Sequence, residues 1–285
     1  MEVIKDVIQL KSLISQWKQQ GDSIAFVPTM GNLHQGHLAL VKKARQLATR
    51  VVVSIYVNPL QFGENEDFDS YPRTLEQDQK GLELERADLL FLPASSAIYP
   101  RSEKDSTKVE VPNLSTILCG EYRPGHFVGV ATVVCKLLNI IQADFAIFGE
   151  KDYQQLAVIR QMVEDLFIPV EIIGVATVRN EDGLAMSSRN QYLTAEQKKK
   201  AAFLYQTLKN MAKDATKGIS LRQIEQESMD KLAVNGFRPE YLSFRECRTL
   251  AEAQTDQKEL IILAAAWLGN TRLIDNLQIT LQKSI

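Results

Sequence analysis

Residues 23–57 read SIAFVPTMGNLHQGHLALVKKARQLATRVVVSIYV, and their patterning decides the fold. Ser23 to Thr29 is an apolar run of strand length. Gly36 to Thr49 has helical periodicity, with Leu38, Val41, Ala44 and Ala48 on one face. Arg50 to Val57 is β-branched and mostly apolar, as a strand covered on both faces should be. Strand, helix and a second buried strand together predict a parallel pair joined by a crossover helix.

The alternation extends outward from there. Met1 to Gly21 carries charges throughout and reads as an amphipathic helix, not a signal peptide. Downstream, Thr74 to Arg86 reads as a polar helix and Asp88 to Leu92 as a strand. Phe127 to Gln142 is long enough for a buried helix, at a subunit interface or in the core. Asp144 to Phe148 reads as a strand, Tyr153 to Phe167 as a helix and Val170 to Val178 as a strand. The expected fold class is α/β: a Rossmann-like parallel sheet with helices on both faces, plus a smaller C-terminal α+β domain. The pattern changes at the turn Arg179 to Gly183, so the domains are expected at 1–177 and 178–285. The second would hold helices at Thr194 to Thr216, opened by a capping sequence, and Ser220 to Asn235, then strands at Tyr241 to Phe244 and Leu260 to Leu268.

Bulk properties narrow the function classes. Hydrophobic residues are 45% and charged residues 24%, which fits a folded globular chain. A net charge of −2 with intermixed signs argues against a nucleic-acid partner. No apolar run approaches the roughly 20 residues of a membrane span, so no membrane partner is expected. Cys119, Cys135 and Cys247 are widely spaced and odd in number, which reads as reduced thiols in the cytoplasm and no metal pattern.

Chemistry-bearing residues cluster where strands end. Val27 to His37 (VPTMGNLHQGH) runs from a buried strand into a helix, and two of the three histidines, His34 and His37, lie three apart there. Gly31 and Gly36 permit tight turns and close approach of a ligand. A helix N-terminus offers unpaired N–H groups and a positive dipole to phosphates, and two imidazoles can donate to the same anion. Histidines that merely cap the helix are the plainer alternative. Metal binding lacks a third nearby ligand.

Three further segments share that location. Met186-Ser187-Ser188-Arg189 supplies hydroxyls and a guanidinium, which are good phosphate ligands. In Phe148 to Gln155 (FGEKDYQQ), Gly149 allows close approach of a ribose and Asp152 can accept from its hydroxyls. Lys151 can place charge on a phosphate, and Gln155 suits a hydroxylated substrate. The plainer reading of Gln154 and Gln155 is a solvated helix face. Asn58 and Gln61 in Ser54 to Gly63 (SIYVNPLQFG) set polar groups among apolar ones, which fits a small ligand with both methyls and hydroxyls.

The segment His34-Gln35-Gly36-His37 resembles the His-x-Gly-His signature of the nucleotidyltransferase superfamily, which implies attack at the α-phosphorus of ATP with pyrophosphate leaving. With VNPLQFG, YPRTLEQD, RPGHFVGVATVV, FGEKDYQQL, LAMSSRN and AAAWLGNTRLIDN in the same order, nearly the whole chain resembles the pantothenate synthetase family. That resemblance implies that ATP and (R)-pantoate give pantoyl adenylate, which β-alanine converts to pantothenate and AMP. It implies catalytic roles for His37, His34 and Lys151. It implies ATP contacts at Met30, Gly31, Asn32, Leu33, His34, Gln35, Gly36 and His37, at Gly149, Glu150, Lys151 and Asp152, and at Val178, Met186, Ser187, Ser188 and Arg189. Pantoate and β-alanine would meet Asn58, Gln61 and Gln155. Mg²⁺, a homodimer and a cytoplasmic location are implied too; protein ligands for the metal are left unassigned. The competing enzyme reading adenylates a phosphate instead, but it calls for a basic acceptor pocket where Asn58, Gln61 and Gln155 are neutral. A non-catalytic nucleotide-binding regulator would have lost some of these phosphate ligands.

Overall fold

The computed structural model describes residues 1–63, 66–254 and 257–281. The chain divides into two compact units. One comprises Met1–Glu150 and Val158–Ala176; the other comprises Lys151–Ala157 and the chain from Thr177 onward. Residues 255–256 and 282–285 of the expected second domain lie outside the described residues.

The first unit runs β1 (Glu2–Ile4), α1 (Val7–Gln19), β2 (Ile24–Thr29), α2 (Gln35–Leu47), β3 (Arg50–Ile55), α3 (Leu75–Leu84) and β4 (Leu89–Phe91). Two short helices follow, α4 (Ser95–Ile98) and α5 (Cys119–Tyr122), then α6 (His126–Ile141), β5 (Phe145–Gly149), α7 (Tyr153–Asp165), whose residues up to Ala157 belong to the other unit, and β6 (Glu171–Val175). Among the described residues its strands form one six-stranded sheet, β1-β4-β3-β2-β5-β6. Every neighbouring pair is parallel. Parity along the strands divides the core. Ala25, Val27, Val51, Val53, Leu90 and Ile147 meet Leu40, Val41 and Ala44 of α2 in one cluster. Ile24, Phe26, Val52 and Phe91, of opposite parity, are buried as well. Burial on both faces is why these strands read as unbroken apolar runs. α6 is buried along most of its length within the chain itself, which makes it a core helix.

The N-terminal segment differs from its expectation. Glu2–Ile4 pairs with β4 as an edge strand, and α1 begins only after Asp6. The Asp6 carboxylate accepts from the Gln9 N–H at 2.8 Å and so sets the helix start.

The second unit holds α8 (Ala195–Ala201), α9 (Phe203–Ala215), α10 (Leu221–Val234), β7 (Phe237–Glu246), β8 (Glu259–Leu268) and β9 (Thr271–Thr280). The strands form an antiparallel sheet, β7-β8-β9. The helix expected over 194–216 is two helices parted at Ala202, although no proline or glycine marks the break. β9 is an addition. Leu268 pairs with Thr271, so Gly269 and Asn270 alone make the hairpin turn, and Gly269 has φ +58°. Leu204, Leu208, Met211, Ile224 and Leu232 of the helices pack on Phe244, Leu260, Ile262 and Ala264 of the sheet. Among the described residues no helix is long and apolar enough to cross a membrane.

Candidate active site

In a parallel sheet, ligands bind beyond the carboxyl ends of the strands, where the strand order reverses. The chain passes outward from β2 to β3 and β4, then β5 returns to the other side of β2. The reversal therefore lies between β2 and β5, which pair at Ala25 with Phe145 and Phe26 with Ala146. Residues 30–34 leave one of these strands, and Gly149 ends the other with Glu150 following it.

The loop after β2 is tied down by side chains. The Thr29 hydroxyl donates to the Ser54 carbonyl at 2.8 Å and accepts the Gly31 N–H at 3.2 Å. Gly31 and Asn32 then take φ of +83° and +50°. A Cβ on Gly31 would lie 3.0 Å from Ile55 Cγ2 and 3.2 Å from Asp78 Oδ2, so this turn needs glycine for space as well as conformation. Asp78, at 2% exposure, accepts the N–H groups of Asn32 at 2.9 Å and Leu33 at 2.8 Å and the Thr74 hydroxyl at 3.0 Å. Asp78 is quoted in the sequence only as the end of YPRTLEQD, an acidic stretch to which no metal is assigned. Its signal was an acidic residue one turn into a helix, too common to assign. Asp78→Asn keeps the shape but sets an amide N–H₂ against a backbone donor. The expected result is a loss of about 1.5–3 kcal/mol for one broken charged hydrogen bond, with weaker ATP binding. Thermal denaturation and ATP titration check this, and an unchanged midpoint with unchanged affinity would show that the loop keeps its shape without the carboxylate.

The two histidines do cap the helix, and the cap decides their chemistry. His34 is the N-cap of α2 and His37 is its third residue, forming a reciprocal capping box. His34 Nδ1 accepts the Gly36 N–H at 3.1 Å, and His37 Nδ1 accepts the His34 N–H at 3.4 Å. With Nδ1 accepting, each neutral ring carries its proton on Nε2. The ring centroids are 4.1 Å apart and the planes tilt by 32°, so the two imidazoles sit side by side at the helix N-terminus. Capping thus engages Nδ1 of each ring and puts the ring proton on Nε2.

β3 leads into a 3₁₀ turn, Pro59–Gln61. Asn58 and Gln61 are buried, at 1% and 9% exposure. The Gln61 amide nitrogen donates to Met30 Sδ at 3.1 Å, which brings the β3 turn against the loop after β2. The Gln61 main-chain carbonyl accepts from Arg123 Nη2 at 3.2 Å and from His126 Nδ1 at 2.7 Å. A carbonyl can only accept, so His126 holds the opposite tautomer, with Nε2 facing Arg123 Nη1 at 3.0 Å. Arg123 also pairs with Glu66. Burial alone would push the Glu66 carboxyl up, but the Arg123 guanidinium outweighs it and holds the group below its ordinary value. Arg123 and His126 were quoted in the sequence only as part of RPGHFVGV; nothing there told that they brace a peptide 62 and 65 residues away.

The remaining expected residues belong to the second unit. The Lys151 ammonium lies 3.5 Å from Asp152 Oδ1, and the Lys151 carbonyl accepts from Asn276 Nδ2 at 2.9 Å. Gln154 is buried at 5% exposure, so it is not on a solvated face, and Gln155 is half-buried. Val178 and Met186 are joined by a backbone bond, Met186 N–H to Val178 carbonyl at 2.9 Å, across a small hairpin that turns at Gly183 with φ +94°. Arg179 in this hairpin makes a two-pronged pair with Asp275 at 2.6 and 2.8 Å, donates to the Gly183 carbonyl at 3.1 Å and stacks 3.5 Å from the Tyr205 ring centroid. Ser187 Oγ accepts the Arg189 N–H at 3.3 Å and opens the turn Ser188–Tyr192, which packs on β9. Among the described residues no three His, Cys, Asp or Glu side chains gather as a metal site.

Comparison with known proteins gives consistent matches. The family described as pantoate-beta-alanine ligase matches residues 2–278. Pantothenate synthetase of Shewanella loihica is 55% identical over 277 residues, 97% of this chain and 98% of that protein. The crystal structure of pantothenate synthetase from Thermus thermophilus superposes with a TM-score of 0.90 at 45% identity, over 97% of this chain and 99% of the other. A crystal structure of pantoate-beta-alanine ligase from Francisella tularensis, described as complexed with beta-gamma ATP and beta-alanine, gives 0.80 at 36% identity over 97% of each chain.

Proposed function

Because the chain belongs to the pantoate–β-alanine ligase family, we propose that it makes pantothenate from pantoate and β-alanine by way of a pantoyl adenylate. The observation that carries the adenylate step is the pair of Nε2–H donors of His34 and His37 at the N-terminus of α2, beside the strand reversal.

Pantoate's carboxylate is already ionised near neutral pH, so the first step needs positioning and charge stabilisation more than a base. A carboxylate oxygen bonds to the α-phosphorus as the bond to the β-phosphate oxygen breaks, and pyrophosphate leaves. In this reading residues 30–37 cradle ATP, with His34 and His37 donating to the phosphates. Lys151, Ser187, Ser188 and Arg189 neutralise the β- and γ-phosphates. Gly149, Glu150, Asp152, Val178 and Met186 hold the nucleoside. The amine of β-alanine then attacks the acyl carbon, AMP departs, and the nitrogen loses its extra protons. The residues after Thr177 act as a lid that keeps water from the adenylate. A Mg²⁺ ion bound with ATP would supply positive charge at the phosphates, and no side chain of this chain is assigned to hold it. The reading is completed by a homodimer in the cytoplasm that takes small molecules and neither nucleic acid nor membrane, in keeping with a net charge of −2.

Gln155 and Gln61 meet pantoate in this scheme. Amides pair with hydroxyls as donor and acceptor without adding charge, which disfavours a phosphate as acyl substitute. Gln155→Ala is expected to raise the pantoate KM by about 10-fold or more, with the ATP KM little changed. Normal pantoate dependence with poorer ATP use would put Gln155 in the nucleotide pocket. The function is tested by mass spectrometry of the products formed from ATP, pantoate and β-alanine. Pantothenate and AMP in equal amounts support it; ADP with phosphate would exclude the adenylate route.

A further inference from the structure

Asn58, Tyr99 and Gln61 are polar side chains buried at 1%, 3% and 9% exposure, and they form one hydrogen-bonded row with a direction. The direction starts at α6. Gly129 lies so close to the Pro59–Gln61 turn that a Cβ there would be 2.2 Å from the Leu60 carbonyl oxygen and 2.8 Å from the Gln61 nitrogen. Only glycine allows that approach. It delivers the Gly129 carbonyl to Asn58, whose Nδ2 donates to it at 3.1 Å.

A carbonyl oxygen can only accept, so Gly129 decides which end of the Asn58 amide is nitrogen. The other end, Oδ1, accepts the Tyr99 hydroxyl at 2.9 Å. Tyr99 therefore has to donate. The second Nδ2 hydrogen goes to Gln61 Oε1 at 3.1 Å. The oxygen of Gln61 is thereby its inner end and Nε2 its outer end, resting on Met30 Sδ at 3.1 Å. A thioether is a weak acceptor, so an N–H held there transfers readily to a better one. Burial first, and then the neighbouring Tyr56, push the Tyr99 phenol well above its ordinary value, so it stays a neutral donor. Lys136 fixes the ring, with its ammonium 4.9 Å from the Tyr99 centroid while it donates to the Ile98 carbonyl at 3.0 Å.

We propose that Tyr99 is a positioning residue which, together with the Gly129 carbonyl, makes Gln61 present its N–H and not its C=O to an oxygen acceptor on the hydroxy-acid substrate. Asn58 is then the relay between them, with both of its N–H groups spent inside the protein. The proposal rests on Gln61 facing pantoate. It predicts a selectivity: the group on the acid that meets Gln61 has to accept a hydrogen bond, and a substituent that can only donate is refused.

The test is a double-mutant cycle on steady-state constants, with thermal midpoints recorded for each enzyme. Tyr99→Phe removes one hydroxyl and keeps the ring. It is expected to raise the pantoate KM roughly tenfold, the size of one net hydrogen bond, and to leave the ATP KM unchanged. Gln61→Ala is expected to raise it further, and the double variant to be no worse than Gln61→Ala alone. If Gln61→Ala raises the pantoate KM while Tyr99→Phe does not, or if the two effects simply add, the relay is wrong and Gln61 keeps its place. If Gln61→Ala leaves the pantoate KM unchanged, the pocket assignment itself fails. Gln61→Glu guards against a poorly folded Tyr99 variant, because it replaces the outer N–H by oxygen at nearly the same volume. Its pantoate KM should match that of Gln61→Ala, and a wild-type value would overturn the donor role.

Discussion

His37→Ala is expected to slow ATP–pyrophosphate exchange by roughly 10²–10³-fold, the usual effect of removing one preorganised donor from a developing charge. The structure adds a complication, because His37 Nδ1 also closes the capping box with the His34 N–H. Alanine removes both functions, and loss of the cap by itself costs about 1 kcal/mol of stability. His37→Gln separates them. Glutamine is a usual third residue of a capping box and can accept the same N–H. His37→Gln is therefore expected to melt like the wild type and yet to remain slow. Exchange at the wild-type rate in a well-folded His37→Gln enzyme would leave the imidazole with a capping role alone.

The second large effect is on stability. Arg179→Ala is expected to destabilise the second unit by about 3–5 kcal/mol, the range for breaking a buried ion pair by deleting one partner. Asp275 is 4% exposed and would be left buried with its guanidinium gone. The stack on Tyr205 and the bond to the Gly183 carbonyl are lost in the same step. A paired replacement, Arg179→Met with Asp275→Leu, should recover much of the loss, since both charges leave together. Denaturant unfolding followed by far-ultraviolet dichroism reads both variants. A single Arg179→Ala variant within about 0.5 kcal/mol of wild type, the spread of ordinary surface changes, would mean that water replaces the guanidinium. Because Arg179 sits in the hairpin that joins Val178 to Met186, ATP affinity should fall in the single variant before global unfolding is seen.

Much of the architecture was legible because it rests on burial. β2, β3 and β5 are covered on both faces, and their apolar runs could be read nearly to the residue. The elements that escaped are those whose cause is a partner far along the chain. β1 is three residues long among charges and is a strand only because β4 pairs with it. β9 carries Arg272, Asp275 and Asn276, which break the expected alternation because two of them are buried. The Gly269-Asn270 turn between two such runs was a usable hairpin signal. At the site, residue types at strand ends pointed to phosphate chemistry. Their supports did not announce themselves: Asp78 acts 46 residues from Asn32, and Tyr99 acts 41 residues from Asn58. Sequence separation hides such contacts, and an ordinary aspartate or tyrosine has no local mark to reveal them.

The strand order also bears on how fast the molecule acquires its site. β8 and β9 are joined by two residues, so their pairing closes a minimal loop, and hairpins of that kind form within about 1–10 μs. β2 and β5 meet only after a long excursion, with the Ile24 N–H bonding Asp144 120 residues on. Closing that loop costs chain entropy before any contact repays it, which makes such pairings slow. The crevice between β2 and β5 does not exist until β5 has arrived. The second unit's sheet is therefore expected to be protected from hydrogen exchange early in refolding, while nucleotide binding returns with the last strand pairing. Catalytic competence would then be a late event on the folding pathway, reached after most secondary structure is already in place.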